Sequence, residues 1–460
     1  MNWGWKTIIE PFKIKSVEPL GFTTRQERER ILREAHYNIF NVKAEHVLID
    51  FLTDSGTSAM SAAQWGAMMN GDESYAGARS YYNFENAIKD LTGYREVIPV
   101  HQGRAAERIL FEIIGGRGKY SVSNSHFDTT RANVEASGTV AEDIPVKEAL
   151  DFEKTLPFKG DMDIKALEKF IKRKGAKNIC ICIMTVTNNS LGGQPVSMKN
   201  LKAVSGICRK NNIPLFLDCA RFAENAYFIK LREKGYAGMP VKNIAREMFE
   251  LADGAMMSAK KDAFANMGGF IAMNNSEWAQ KARQNLILTE GFRTYGGLAG
   301  RDLDAIAVGL KEVLDEKYLQ YRLRSTEYLG RGLKKVGVPI VNPPGGHGIY
   351  VNAQKFLSHI NPLHFPAQSL VCELYLLGGI RAVEIGMLMF GRRDGRGNIL
   401  PGEVELVRLA VPRRVYTQSH VDYVIEVFAR IAKNRKNIKG LKIVEAPKVL
   451  THFTAKLAPL

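Results

Sequence analysis

The sequence predicts an α/β protein: a mainly parallel sheet with helices on both faces, followed by a smaller α+β domain. Three observations lead there. From residue 97 onward, short apolar runs alternate with helical stretches, the pattern of parallel strands joined by crossover helices. Residues 178–186 form a nearly continuous apolar run of strand length, as a parallel strand buried on both faces requires. Polar groups follow such runs, Asn189 and Asp218 among them, with Lys260-Lys261 beyond. Open α/β sheets bind ligands at the carboxyl ends of their strands, so these groups predict a site.

Composition sets the outer bounds. A chain of 460 residues exceeds one ordinary core, so two domains are expected. The large one covers 58–315 and the small one 316–460, with 1–57 an N-terminal arm and part of the small domain. Hydrophobic content of 45% and charged content of 24% are those of a soluble globular protein. No apolar run approaches the roughly 20 residues of a membrane span. Met1-Asn-Trp-Gly-Trp-Lys6 lacks the apolar region of a secretory signal, which predicts a cytoplasmic location. Cys180, Cys182, Cys208, Cys219 and Cys372 are scattered, with no CxxC pair or Cys/His cluster, and read as reduced core thiols. The formal charge of +16 raises nucleic acid as a partner, but the basic residues are widely spread and no nucleic-acid motif accompanies them.

Taken in order, 25–36 reads as a helix and 47–52 as a strand running into Thr53-Asp-Ser-Gly-Thr57, a cluster of turn and capping residues. Helices are expected at 61–69 and 81–93, the second closed by glycine, either side of the polar loop Gly71-Asp-Glu-Ser-Tyr-Ala-Gly77. Strand 97–100 leads through His101-Gln-Gly-Arg104 into helix 105–114. Glycine there lets the backbone approach an anion, and the first N–H groups of the helix point at it. Strand 120–123 precedes Ser125-His-Phe-Asp-Thr-Thr-Arg131. Beyond strand 178–186 come the polar loop 187–195, helix 198–211 and strand 213–218. The octet Ala255-Met-Met-Ser-Ala-Lys-Lys-Asp262 follows a helix at 244–251 and runs into a glycine-marked turn at 266–270. One long helical stretch, 301–336, leads into the small domain. That domain should hold an extended piece within 340–351, helices at 366–378 and 420–436, strands at 380–386 and 406–411, and a basic tail. Residues 391–397 read as a surface hairpin or loop.

The residue types at these strand ends suit one cofactor. Pyridoxal 5′-phosphate (PLP) is an aldehyde and needs an amine, for which Lys261 is the candidate; Lys260 supplies fixed charge that lowers its neighbour's pKa and attracts an anion. A protonated ring nitrogen calls for a buried carboxylate, Asp218. The phosphate calls for helix N-terminal amides with cationic help, from Gln102, Gly103, Arg104, Ser258 and Lys260. Phe127 offers an aromatic face to the ring, and Asn189 with Arg221 offers donors to its 3′-oxygen. Singly, each has a plain explanation: a solvated lysine pair, a buried Asp218–Arg221 ion pair, a turn asparagine. Together they predict a PLP enzyme of the aspartate aminotransferase type, fold type I.

The chain also resembles the β-eliminating lyase family, tryptophanase and tyrosine phenol-lyase, over nearly its whole length. The matching blocks are Leu52-Thr-Asp-Ser-Gly-Thr57, Gly71-Asp-Glu-Ser-Tyr-Ala-Gly77, His101-Gln-Gly-Arg104, Gly192-Gly-Gln-Pro-Val-Ser197, Glu224-Asn-Ala-Tyr-Phe-Ile-Lys230, Ser258-Ala-Lys-Lys-Asp262 and Tyr295-Gly-Gly-Leu298. The resemblance implies that Lys261 carries PLP and removes the substrate α proton to give a quinonoid carbanion. It implies that Arg408 holds the substrate carboxylate, aided by Thr53, Ser55 and Asn189, and that Tyr75, lent by a neighbouring subunit, is the general acid. Gly56, Glu73 and Asn266 match the family's potassium site at a catalytic dimer interface. The implied assembly is a homotetramer, a dimer of such dimers.

Within the family a few positions bear on the substrate. The phenol-lyases resemble one another in a threonine after the stacking phenylalanine, an arginine after the segment matching Arg381-Ala-Val-Glu384, and paired phenylalanines near the C-terminus. This chain has Asp128, Ile385 and His452-Phe453 there. Arginine would pair with a phenolic oxygen, whereas isoleucine removes that donor and adds apolar wall for an indole. Asp128 can accept from an indole N–H, and His452 is a second polar group. Ile385 could equally be plain core, and His452 a surface residue on the tail. The reaction implied is β-elimination of L-tryptophan to indole, pyruvate and ammonia, with tyrosine or an S-substituted cysteine as alternative substrates. His126, where the family is more often aromatic, and Arg293 depart from the pattern. A basic binding protein on an inactive scaffold is the alternative of another class, and retention of every cofactor residue counts against it.

Overall fold

The computed structural model describes residues 8–393, 399–400, 404–447 and 451–460. The chain forms two units, Ser55–Arg322 and a second made of Met1–Asp54 with Leu323–Leu460. The expected divisions are 57/58 and 315/316; those of the structure lie at 54/55 and 322/323. Helix Glu316–Lys335 runs uninterrupted through 322/323, so no composition change marks that point.

Seven strands make the sheet of the large unit: β1 (Glu96–Val100), β2 (Tyr120–Ser123), β3 (Val140–Asp143), β4 (Ile179–Thr185), β5 (Leu215–Asp218), β6 (Gly254–Ser258) and β7 (Gly269–Met273). Their order is β1-β7-β6-β5-β4-β2-β3. Neighbours are parallel except at β7, which runs antiparallel to both β1 and β6. The register pairs Thr185 with Asp218 and Asp218 with Met256, so β4 and β5 end level and β6 runs on past them to Ser258. The polar residues that follow them therefore emerge at one edge of the sheet.

The apolar content of these strands is what holds the layers. Helix α1 (Gly103–Ile114) buries Ala106, Ile109, Leu110 and Ile114, one face of a 3.6-residue period, against Ile98, Ile181, Phe216 and Ile271 of the sheet. Each large apolar side chain so buried contributes on the order of 2 kcal/mol.

Two strands of this sheet have no counterpart among the sequence expectations. β3 is an edge strand of the sheet and alternates too little to be noticed, and β7 begins at the Gly268-Gly269 pair that reads as a turn. The helical stretch expected over 301–336 is two helices, Gly300–Glu312 and Glu316–Lys335. They break where the Asp315 side chain accepts the Lys317 amide at 2.8 Å.

In the second unit, β8 (Gly348–Asn352), β9 (Val383–Ile385) and β10 (Leu406–Ala410) form an antiparallel sheet in the order β9-β10-β8. The strand expected over 47–52 shrinks to Ile49–Asp50, parallel to Ile380–Arg381. Phe51, Val351, Leu370, Tyr375, Leu409 and Phe428 belong to its core. The expected basic tail instead contains a hairpin, β11 (Leu441–Glu445) paired antiparallel with β12 (Lys456–Pro459). Arg392–Arg393 pairs with Ile399–Leu400, while 394–397 of the expected loop, like Met1 to Lys6, lie outside the described residues. All five cysteines are free thiols. Among the described residues no helix is long and apolar enough to cross a membrane.

Candidate active site

The turn from β1 into α1 brings helix N-terminal amides together with basic side chains. Gln102 is the N-cap residue and no side chain caps the helix. Its carbonyl accepts the amides of Ala105 and Ala106, so those of Gly103 and Arg104 lack an intrahelical acceptor. Gly103 lies so close to β6 that a Cβ would start 2.7 Å from the Cβ of Ser258. Arg104 and Lys260 bring charge to the same place. Burial, then the Arg104 guanidinium, lowers the Lys260 pKa. Burial and then the charges of Lys260 and Arg104 lower that of His101. The charge that depresses Lys260 and His101 here is the kind a bound anion such as phosphate would offset.

Lys261 follows β6 on a turn bolted to its neighbour. The fully buried Asp262 accepts the Ala223 amide on Oδ2 at 2.8 Å and gives its own amide to the Ala220 carbonyl at 3.3 Å. Helix α3 (Phe222–Arg232) starts there, just past β5. Asp262 therefore ties the lysine turn to the strand end that carries Asp218. Its role went unassigned from sequence, although it closes the Ser258-Ala-Lys-Lys-Asp262 block.

Burial raises the Asp218 pKa, against the pull of the Lys261 charge, the Ala220 amide and Arg221. A carboxyl so placed gains from a cation set against it, as a protonated ring nitrogen would be. The two residues on which a PLP reading most depends thus sit within electrostatic reach. Arg221 and Asn189 are buried, 4% and 5% exposed, after β5 and β4.

Phe127 is the N-cap residue of α2 (Asp128–Ala136), and Asp128, its first residue, accepts the Thr129 amide at 2.6 Å. Buried Glu107 of α1 accepts the Thr130 hydroxyl at 2.7 Å and the Asn133 amide at 3.2 Å, tying the two helices together. Burial pushes it up to about 7. It too was missed, since a glutamate inside an amphipathic helix gives no signal of burial.

Of the cation set, Gly56, at φ +77°, and Asn266 meet: the Asn266 side-chain amide donates to the Gly56 carbonyl at 3.0 Å, and the Gly56 amide donates to the Lys260 carbonyl at 2.7 Å. Rotating the Asn266 amide would turn two oxygens to one point, which suits a monovalent cation. Glu73 instead accepts the amides of Gly300 and Arg301 at the start of α4 (Gly300–Glu312). Tyr75 is 69% exposed, stacked on Phe292 at 5.4 Å and edge-on to Tyr295. A hydrogen bond with Tyr295 raises its phenol pKa.

Ser55 opens the large unit, while Thr53, Arg408, Ile385, His452 and Phe453 belong to the second. Arg408, on β10 and 7% exposed, donates to the Leu52 carbonyl at 3.3 Å beside Thr53. Asp54 and Arg413 form a buried ion pair at 2.9 Å that anchors the same segment. His452 is no surface residue: it is 2% exposed, with its ring 3.9 Å from that of Phe453. Burial and the Arg408 charge push its imidazole down to about 4, so it stays neutral at neutral pH. Ile385 is buried in β9.

Comparison with known proteins adds to this geometry. The profile described as Beta-eliminating lyase matches residues 50–427. A protein named Tryptophanase from Salinibacter ruber is 57% identical over 453 residues, 98% of this chain and 96% of the relative. One named Tyrosine phenol-lyase from Clostridium tetani is 47% identical over 451 residues, 98% of both chains. The structure of a serine palmitoyltransferase from S. paucimobilis with a bound PLP–myriocin aldimine superposes with a TM-score of 0.56 at 13% identity, covering 85% of this chain and 88% of the other, a likeness of fold.

Proposed function

The chain belongs to the β-eliminating lyase family, PLP-dependent enzymes of fold type I, and from that premise we propose that it cleaves L-tryptophan to indole, pyruvate and ammonia. The observation that carries this choice is the gap in identity, 57% against 47% over nearly the whole chain, in favour of a relative named Tryptophanase. Asp128 and Ile385, where phenol-lyases resemble one another in threonine and arginine, point the same way.

When bound, PLP supplies an electron sink beside the substrate Cα. The Gly103 and Arg104 amides, Ser258 and Lys260 would hold its phosphate, with Gln102 beside them, and Phe127 would cover its ring. Asp218 would keep the proton on its ring nitrogen, while Asn189 and Arg221 donate to its 3′-oxygen. The chain's own groups then do the proton work. Arg408, with Thr53, Ser55 and Asn189, orients the substrate through its carboxylate. Lys261 Nζ takes the α proton. Tyr75, from a neighbouring copy, delivers a proton to the indole carbon. Asp128 accepts from the indole N–H, neutral His452 adds a second polar contact, and Ile385 with Phe453 walls the ring. Potassium at Gly56, Asn266 and Glu73 of a dimer interface, a homotetramer and a cytoplasmic location complete the reading.

The deciding experiment loads the purified protein with PLP and measures indole released from tryptophan and phenol released from tyrosine. Indole in excess is expected; phenol in excess would move the chain to the other branch.

A further inference from the structure

His126 precedes the two residues given the ring-facing and leaving-group roles, Phe127 and Asp128, and has no part in the chemistry above. Its surroundings are unusually specific. The side chain is wholly buried. Nδ1 lies 2.6 Å from Asp143 Oδ1, and the His126 backbone amide donates to the same oxygen at 2.8 Å. Nε2 lies 2.9 Å from the Ser121 hydroxyl. With Nδ1 donating to the carboxylate, Nε2 accepts the serine proton, so both ring nitrogens are satisfied.

The partners come from three elements. Ser121 is on β2, Asp143 ends β3, and Asp143 is held in turn by Arg131 of α2 at 2.5 Å. The segment before His126 is fixed as well: the Asn124 side chain exchanges hydrogen bonds with the Thr185 backbone, and the Thr185 hydroxyl donates to the Ser125 carbonyl. The imidazole is thus a rivet joining two strands to the start of α2 at the point where Phe127 and Asp128 leave the sheet. A phenylalanine, somewhat larger and without ring nitrogens, would fill the space but leave the buried Ser121 hydroxyl and one Asp143 contact unmet.

We propose that His126 is a positioning residue that sets the places of Phe127 and Asp128, and through them the seating of PLP and the preference for an indole leaving group. The inference rests on the reading of those two residues given above. Both ring nitrogens are engaged, by Asp143 and Ser121, so the role assigned to His126 is positioning and not proton transfer.

The test compares wild-type holoenzyme with His126→Phe and His126→Asn, the latter keeping a donor for Asp143. Four quantities are read: the PLP dissociation constant, the visible absorbance of the loaded enzyme, and kcat/KM for tryptophan and for an S-alkyl cysteine, whose leaving group has no N–H. His126→Phe should loosen PLP and shift the absorbance. It should also lower kcat/KM for tryptophan about tenfold or more beyond any loss with the S-alkyl cysteine, as a displacement of about 1 Å would. His126→Asn should recover part of each. If His126→Phe fails to fold, Ser121→Ala, which removes only the Nε2 partner, should move the same quantities in the same direction but less. Equal losses on both substrates with an unmoved absorbance would make His126 a stability residue and overturn the proposal. So would a His126→Phe enzyme matching wild type. A wild-type protein that takes up no PLP would overturn the underlying reading, and this inference with it.

Discussion

Glu384 and Glu405 bring their carboxyl groups together at Gly386: a side chain there would begin 2.8 Å from Oε1 of Glu384 and 2.6 Å from Oε1 of Glu405. Both are buried, and both cap the short helix α5 (Met387–Phe390). Glu384 accepts the amides of Leu388 and Met389, and Glu405 those of Met387 and Ala367. Burial and the charge of Glu405 raise Glu384 well above the usual range, and burial pushes Glu405 up to about 7. The two acids sit next to Ile385, the residue expected to shape the substrate pocket.

The first prediction is a pH dependence of stability. A carboxyl whose folded pKa is raised stabilises the fold fully below its unfolded value, near 4.5, and loses that contribution as pH rises through about 7. Glu405→Gln removes the titration at the loss of one amide acceptor. Its melting temperature relative to wild type should therefore improve between pH 5 and pH 8, by the equivalent of up to about 3 kcal/mol. A difference that does not vary with pH would show that Glu405 ionises freely in the folded protein.

A second prediction concerns the anion cradle. Gly103→Ala places a methyl group against Ser258, so the helix start must move away from the strand. Hydrogen bonds to a charged group are worth about 1.5–3 kcal/mol, so PLP affinity should fall about tenfold to a hundredfold. Equilibrium titration of PLP checks this, and an unchanged dissociation constant would remove Gly103 from the phosphate site.

The adjacent lysines should separate cleanly. Lys261→Ala should lower indole production by at least about a hundredfold, since it removes both the amine and the base. Lys260→Ala should mainly weaken PLP binding, because its charge acts with Arg104 on the anion. Turnover near the native rate in Lys261→Ala would mean that the base is misassigned.

How much of this could be read in the sequence depends on how local the cause is. The end of β5 at Asp218 was legible because an apolar run stops at a charged residue. The strand-to-helix turn at Gly103 was legible because glycine there has a local reason. What escaped was set by distant partners. Residues 140–143 become a strand only because β2 pairs with them, and 441–445 only because Lys456–Pro459 folds back on it. His452, expected as a polar pocket residue with a surface position on the tail as the alternative, is buried against Phe40, Phe453 and the field of Arg408, which removes that alternative. The break at 313–315 did have a local signal, the capping Asp315, which a run of good helix formers on either side obscured.

The last prediction addresses the substrate. Asp128 opens α2 with its carboxylate in the first turn, and a carboxylate is an acceptor of the kind an indole N–H requires. Ile385 presents only hydrocarbon. The double substitution Asp128→Thr with Ile385→Arg removes that acceptor and supplies a donor suited to a phenolic oxygen. Position 385 is 1% exposed, so part of any loss will be stability, and the two effects separate because stability alone depresses both reactions together. The ratio of phenol to indole formed from an equal mixture of tyrosine and tryptophan should rise by about tenfold or more, the discrimination expected from one pocket contact. A ratio that stays put while both rates fall would place the choice of leaving group elsewhere in the chain.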